Sequence, residues 1–401
     1  MPIAALFNPK AKKWVQGRKN IFQKLEKATA GHQSIIWMHC ASLGEFEQGR
    51  PLLEKLKADP SFKHAKFLLT FFSPSGYEIR KDYKGADWVF YLPMDGPQNA
   101  KRFLEIVNPS LVIFVKYEFW YYYLKKIKYR NIPLILVSAL FWKEMSFFKW
   151  YAGMQRKMLS RFDHLFVQDQ TSKQLLDDIG LSSVTSISGD TRFDRVIDIA
   201  ESAEPLPLIE QFMRGHKVII AGSTWPEDEE VLKQTLNAEN NPSLKLIMAP
   251  HEISEKHIAS ITELFSGCIR YSQLNSNTGS NVLIIDNIGL LSRLYKYATI
   301  TYIGGGFGKG IHNTLEAAVY GKPVMFGPVF HKFKEAADLI RSGGAFTISS
   351  AEESIKIINQ LLSDDEKLRE SGKSSGDYVY SNRGATDRII HFLKEKSYAV
   401  L

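Results

Sequence analysis

The densest run of residues able to do chemistry is Tyr302-Ile-Gly-Gly-Gly-Phe-Gly-Lys-Gly-Ile-His-Asn-Thr-Leu-Glu316. Gly304, Gly305, Gly306, Gly308 and Gly310 let a backbone approach a ligand closely and bare its N–H groups, and Lys309 adds a cation. The apolar residues before the run predict a strand and those after it a helix. The positive end of that helix would join the glycine N–H groups in an anion site suited to phosphate. The run is neither the dinucleotide fingerprint nor a P-loop, because it lacks the Gly-Lys-Ser/Thr ending. His312 lies beside the phosphate position, where a functional role is favoured over plain loop packing. Asn313 and Glu316 read equally as a helix cap with its reciprocal partner and as contacts to ribose hydroxyls. Gly321-Lys-Pro-Val-Met-Phe-Gly-Pro328 would continue the wall of the same site.

Two acids form the second group. In Trp37-Met-His-Cys-Ala-Ser-Leu-Gly-Glu45, a strand runs through a small-residue loop into a helix, which places Glu45 at a strand's carboxyl end. That is where open α/β sheets bind ligands, and a carboxylate there can act as a general base. It equally matches the ordinary preference for acids in a first helical turn. Glu118, in Phe114-Val-Lys-Tyr-Glu-Phe-Trp120, ends another strand among aromatic residues; the plainer reading is a packed aromatic corner with one solvated acid. Further polar groups end later strands: Arg192, Ser223 with Thr224, and His251. Arg192 would reach a donor phosphate across the domain junction, and Ser223 and Thr224 would donate to one. No Asp-x-Asp pair occurs, so the usual metal clamp on a nucleotide diphosphate is missing and a metal-independent reaction is expected.

The elements that must position these residues are short apolar strands alternating with amphipathic segments. The runs are continuous, as buried parallel strands require. Strands are predicted at 34–39, 66–72, 88–91, 111–115, 134–138 and 164–167, then at 217–221, 244–248, 282–285, 300–303, 323–326 and 345–348. Two such sets imply two doubly wound α/β domains, which 401 residues can accommodate. The expected layout is residues 1–195, a linker at 196–214 where Pro205 and Pro207 break a long helix, residues 215–382, and a helix within 383–401 packing back on the N-terminal domain.

A net charge of +8 favours anionic partners. Lys10, Lys12, Lys13, Arg18 and Lys19, interleaved with Ala4, Ala5, Leu6, Phe7 and Trp14, read either as a surface for an anionic bilayer or as a solvated basic terminus. Two distant cysteines, Cys40 and Cys268, point to a reducing compartment, and no run of about 18 apolar residues is present. Nucleic-acid signatures are missing, so no nucleic-acid partner is expected.

Taken in order, these segments resemble 3-deoxy-D-manno-octulosonic acid (Kdo) transferases, GT-B glycosyltransferases of lipopolysaccharide synthesis. The resemblance is carried by Ala-Ser-Leu-Gly-Glu45 with Arg50-Pro51, Thr70-Phe-Phe-Ser-Pro-Ser-Gly76, Tyr91-Leu-Pro-Met-Asp95, Tyr117-Glu-Phe-Trp120 and Gly189-Asp-Thr-Arg-Phe193. Gly222-Ser-Thr224, the Gly304–Glu316 loop, Gly321-Lys-Pro323 and Phe326-Gly-Pro328 continue it. It implies two Rossmann-like domains facing a central cleft. It also implies metal-independent, inverting transfer of Kdo from CMP-Kdo to a lipid A precursor (lipid IVA), with no cofactor beyond the donor. Glu45 would be the general base and Glu118 a second acid. Ser42, Gly44, Ser73, Ser75 and Gly76 would meet the acceptor, and the glycine loop with His312, Asn313 and Glu316 would hold CMP. A GT-B enzyme using a UDP-sugar is the alternative.

There are departures from the family pattern. Arg192 stands where the family commonly has Lys. The usual Gly-Gly-His-Asn-Pro-Leu-Glu-Pro reads Gly310-Ile-His-Asn-Thr-Leu-Glu-Ala317, and the usual Pro-Arg-His-Pro-Glu-Arg reads Pro250-His-Glu-Ile-Ser-Glu255, without the two arginines. Family members commonly begin with a hydrophobic anchor. A protein at the cytoplasmic face of a bacterial inner membrane is therefore expected, bound peripherally or anchored by a segment outside this chain.

Overall fold

The computed structural model describes residues 8–239, 244–274 and 279–398. Contacts divide the chain into two units, one of residues 1–195 with 383–401 and one of residues 196–382.

The first unit holds a seven-stranded parallel sheet: β1 (Ile35–Cys40), β2 (Lys66–Phe71), β3 (Trp88–Tyr91), β4 (Leu111–Val115), β5 (Leu134–Ala139), β6 (His164–Val167) and β7 (Thr185–Ile187). Its order is β3-β2-β1-β4-β5-β6-β7. The central strands β1, β4 and β5 are buried along their whole length, which is why they read as unbroken apolar runs. One core cluster fills each face. Trp37, Phe103, Phe114 and Tyr123 pack together in one, and Met38, Phe46, Leu53 and Phe71 belong to the other. The helix Ala385–Glu395 completes the second cluster with Ile389, Ile390 and Leu393. Asp194 caps that helix by accepting from the backbone N–H groups of Gly384 and Thr386.

The second unit repeats the design with β8 (Lys217–Thr224), β9 (Leu244–Pro250), β10 (Ile269–Arg270), β11 (Val282–Ile284), β12 (Ile300–Ile303), β13 (Val324–Phe326) and β14 (Ala345–Thr347). Its order is β10-β11-β9-β8-β12-β13-β14, and every pairing is parallel. The two strands that sequence patterning misses, β7 and β10, are three and two residues long, too short to show a period. Between Phe193 and Gly215 the chain is largely helical, in Thr191–Glu201 and Pro207–Met213; Pro207 opens the second helix at its first position, where a missing N–H costs nothing.

In both sheets the chain order reverses beside the first strand: between β1 and β4, and between β8 and β12. Such switch points leave a crevice at the strands' carboxyl ends.

Of the basic N-terminal segment, Ala4, Ala5, Leu6 and Phe7 lie outside the described residues. Lys10, Lys12, Lys13 and Lys19 are exposed. Arg18 is not available to a surface. Its guanidinium donates to the carbonyls of Phe72, Leu92 and Trp14, stacks 3.9 Å over Trp14, and is pushed down to about 10 by burial. It pins this segment to the ends of β2 and β3.

Candidate active site

Glu45 and Glu118 follow β1 and β4, the two strands that flank the first switch point. Glu45 is in the first turn of the helix Leu43–Ala58, and its Oε2 accepts from the Ser42 backbone N–H at 3.0 Å and from the Ser42 hydroxyl. The helix-start reading of Glu45 is therefore present in the structure. It engages one oxygen and leaves Oε1 without a hydrogen bond among the described residues. Glu118 is not a solvated acid: it is 5% exposed. Its Oε2 accepts from the Trp120 indole and lies 2.9 Å from His39 Nε2, at ion-pair distance but without hydrogen-bond alignment. His39 is wholly buried on β1, and its Nδ1 lies 2.8 Å from the Thr70 hydroxyl and 3.0 Å from the Thr70 carbonyl.

Backbone geometry marks the same edge. Lys116 (φ 64°) after β4 and Ser138 (φ 55°) in β5 are left-handed, a conformation that costs of order 1 kcal/mol or more for residues with a side chain. The turn at Lys116 redirects the chain so that Tyr117 and Glu118 follow the strand at the switch point. Burial is the main reason the Tyr117 hydroxyl is pushed up, with Glu45 raising it further and Arg192 opposing. Glu45, Tyr117 and Arg192 thus share one electrostatic neighbourhood. Arg192 is held by Asp190, with Nε 2.8 Å and Nη2 2.7 Å from Oδ2.

The residues expected at the acceptor divide. Ser42, Gly44, Ser73 and Ser75 sit in loops and helix starts after β1 and β2, and Gly44 is exposed, with only Ser42 Oγ, at 3.8 Å, near its Cβ position. Ser73 and Ser75 are paired through their hydroxyls at 2.9 Å. Gly76 is buried because a Cβ there would meet the Phe71 ring at 2.2 Å, so packing alone requires that glycine. Asp95 of the Tyr91–Asp95 motif accepts from the Tyr122 and Tyr123 N–H groups and starts the helix Tyr121–Tyr129.

In the second unit the glycine loop follows β12 and Ser223-Thr224 ends β8, so both meet at its switch point. Here the expectation that these glycines make room for a ligand needs correcting. A Cβ on Gly304 would come 2.3 Å from the Ser223 carbonyl, and one on Gly306 would come 2.6 Å from Gly327 Cα; both serve backbone packing. Gly305 and Gly310 have positive φ, and Gly308 and Lys309 are exposed, so the tip of the loop is the part open to an anion. The helix beyond is a second correction: Leu315–Ala318 is a single turn, so its dipole adds little. Asn313 accepts from the Leu315 N–H and donates to Glu316 Oε1, so the two side chains are paired beside the helix start, whose N-cap is Thr314.

Thr224 is fully buried and donates to Glu229, so Ser223, left-handed at φ 55°, is the hydroxyl remaining at the end of β8. His251 stacks between Trp225 and His312, at ring separations of 4.7 and 4.5 Å. The Trp225 indole donates to His312 Nε2 at 3.1 Å, which requires that nitrogen to be unprotonated. Burial, then His251, push the His312 ring down to about 4, in agreement. Asp228 ties the loop from beneath by accepting from Gly305 N, Tyr302 Oη and Trp225 N. Sequence reading missed Trp225, Asp228 and His39. Trp225 stood immediately after a motif already singled out and His39 inside one; the partners that give Asp228 and His39 their roles, Tyr302 and Gly305 for the first and Thr70 and Glu118 for the second, are distant in sequence. No group of three metal-ligating side chains is gathered among the described residues.

Comparison with known proteins decides the family. A family model described as 3-deoxy-D-manno-octulosonic-acid transferase (kdotransferase) matches residues 16–195. The chain is 30% identical to the 3-deoxy-D-manno-octulosonic acid transferase of Aquifex aeolicus, over 85% of this chain and 90% of that protein. The chain belongs to the Kdo transferase family. Enzymes of the same description from Haemophilus influenzae and Rickettsia typhi are each 26% identical, covering 90% and 95% of this chain and 86% and 84% of theirs. As a Kdo transferase, the chain is a glycosyltransferase. Its fold matches that of a UDP-GlcNAc 2-epimerase from Neisseria meningitidis bound to UDP-GlcNAc, with a TM-score of 0.62 at 17% identity over 90% of this chain and 100% of that one. A putative UDP-N-acetylglucosamine 2-epimerase from Listeria monocytogenes gives 0.61 at 14% identity, over 91% and 96%. These likenesses place this Kdo transferase in the α/β GT-B fold class, with two Rossmann-like units.

Proposed function

We propose that this protein transfers Kdo from CMP-Kdo to a lipid A precursor such as lipid IVA, by a single inverting displacement without a metal, with Glu45 as the general base. The observation that carries the reading is the pair of acids at the β1/β4 switch point, in a chain of the Kdo transferase family. The acceptor hydroxyl oxygen bonds to the anomeric carbon of Kdo as the bond to the CMP phosphate breaks. The electron pair leaves with CMP, and the acceptor proton passes to Glu45 Oε1. Because one nucleophile enters opposite one leaving group, the configuration inverts. The exposed loop tip at Gly308 and Lys309, Ser223 and the neutral His312 supply donor contacts, and Arg192 supplies positive charge held in place by Asp190. Preorganised donors of this kind stabilise a departing phosphate.

The acceptor is a lipid, and the segment between β5 and β6 supports work at an anionic bilayer. Trp150 (92% exposed), Tyr151, Met154 and Trp142 are exposed along it, as are Lys143 and Lys157, and the Trp142 ring lies 5.7 Å from that of Tyr117. Aromatic residues with lysines suit the headgroup region, where each cation adds about 1 kcal/mol. The exposed Lys10, Lys12, Lys13 and Lys19 supply more charge of the same sign. Among the described residues, no helix is long and apolar enough to cross a membrane.

Incubation with CMP-Kdo and lipid IVA in anionic vesicles, followed by mass spectrometry of the lipid, tests the reading. Kdo-bearing lipid is the expected product, with CMP raising the melting temperature. Stabilisation by UDP alone, with no modified lipid, would point to a UDP-sugar enzyme instead.

A further inference from the structure

Arg161 is a buried cation without an acid. It is 8% exposed, in the turn after the helix Gly153–Leu159, and among the described residues no carboxylate lies within ion-pair distance of it. Its guanidinium donates to the Tyr121 carbonyl at 3.3 Å and stacks 4.6 Å over the Tyr121 ring. None of its nitrogens is sealed from solvent without a partner, so the guanidinium keeps an open edge. A guanidinium stays charged when buried, and taking it out of water is costly unless an anion compensates. Two more cations face the same phenol. Lys125 lies one helical turn after Tyr121, and Lys157 is in the last turn of the helix before Arg161; both are exposed, and neither is paired with an acid among the described residues. The Tyr121 hydroxyl is pushed down first by its hydrogen bond from Arg161 and then by Lys125 and Lys157, which gathers the three cations around it. The acids close by in sequence are engaged elsewhere: Asp95 accepts from the Tyr122 and Tyr123 N–H groups, and Asp163 pairs with Lys128 and accepts from the Leu134 N–H.

We propose that Tyr121, Lys125, Lys157 and Arg161 form a binding site for the phosphate group of a membrane lipid, with the buried Arg161 backing the exposed lysines. Forked N–H groups, two ammonium groups and a hydroxyl match the several acceptor oxygens of a phosphate. What lies beside the site selects a lipid. Trp150, Tyr151 (61% exposed) and Met154 (59% exposed) stand on the segment that runs into Lys157, and such surface suits the boundary between headgroups and acyl chains. Free phosphate has no use for it. Tyr121 follows directly on Trp120, whose indole donates to Glu118, so a lipid held here is held by the helix that leaves the acidic edge. The inference rests on the reading that this protein works on a lipid acceptor.

Sedimentation of the full chain with vesicles of phosphatidylcholine alone, or of phosphatidylcholine with phosphatidic acid, tests the site. The parent should bind the acidic vesicles, and replacing both lysines, Lys125→Ala with Lys157→Ala, should weaken that binding about 10- to 30-fold. Tyr121→Phe is the sharper variant, because it keeps every charge and the ring under Arg161 and removes only the hydroxyl. It should weaken binding about threefold, the loss of one hydrogen bond. Charge spread over a basic face, with no built site, predicts an unchanged Tyr121→Phe, and that result overturns the proposal. Arg161→Lys, which keeps the charge but not the fork, should also bind less well; if its melting temperature shows that it does not fold, Tyr121→Phe decides. Inorganic phosphate that stabilises the parent but not Tyr121→Phe, with equal vesicle binding by both, would assign the site to free phosphate and overturn the lipid. Transfer is read in the same samples. Weakened vesicle binding in the variants, with no Kdo-bearing lipid from the parent, leaves the site standing and removes the transferase reading. Kdo-bearing lipid with unchanged vesicle binding in every variant does the reverse.

Discussion

The two units share a topology and differ in what they place at its switch point. Beside β1 and β4 stand two carboxylates, one capped by Ser42 and one paired with a buried imidazole. Beside β8 and β12 stand glycines, a hydroxyl and a stack of Trp225, His251 and His312, with the buried acids Asp228 and Glu229 turned inward to hold the loop and Thr224. Parallel sheets with the same crossover produce the same crevice. The chemistry comes from the three to five residues that leave each strand. Under the proposed function, one edge takes a proton and the other receives an anion.

The largest expected effect breaks this contrast at the acidic edge. Glu45→Ala should lower kcat by about 10²–10⁴-fold, the range for loss of a general base, while calorimetry finds CMP binding unchanged. Transfer at the parental rate would remove Glu45 from the mechanism.

The next perturbs the other edge. Gly304→Ala sets a Cβ against the Ser223 carbonyl and Thr224 Cα, both backbone. It should cost about 1–3 kcal/mol in thermal unfolding and weaken CMP binding. Gly44→Ala in the first unit, where the nearest atom is Ser42 Oγ at 3.8 Å, should leave stability intact. Lost transfer in that variant would then report an acceptor contact.

The smallest effect sharpens the comparison through two histidines. Trp225→Phe keeps a ring beside His251 but removes the bond to His312, so CMP affinity should fall about three- to tenfold. Burial pushes both His312 and, in the first unit, His164 down to about 4. A histidine lowered on folding binds its proton more readily in the unfolded chain, so the stability it contributes is lost as pH falls from about 6.5 toward 4. His312→Gln and His164→Gln should each flatten the melting temperature over that window. Only His312→Gln should also change the pH dependence of CMP binding, measured by calorimetry.

Much of this was legible in the sequence because the signals were local. Most of the strands showed as continuous apolar runs; the central ones are buried on both faces, and that leaves a one-dimensional trace. Glu45 and Glu118 could be found because each follows such a strand within a few residues. The glycine loop announced itself by composition alone. Position along the chain, though, could not say what each glycine was for: Gly304 and Gly306 face backbone from strands some 80 and 20 residues away in sequence.

The sequence by itself determined the fold class, the family motifs and the two acids, since each depends on residues adjacent in the chain. Only the tertiary structure decided which groups are engaged. Arg18 became a clamp on two strand ends, Thr224 a partner of Glu229, and Glu118 a buried acid against His39. The reason is physical: charge state and availability depend on burial and on hydrogen-bond partners, and those of Arg18 and Glu118 lie tens of residues away until the sheets assemble.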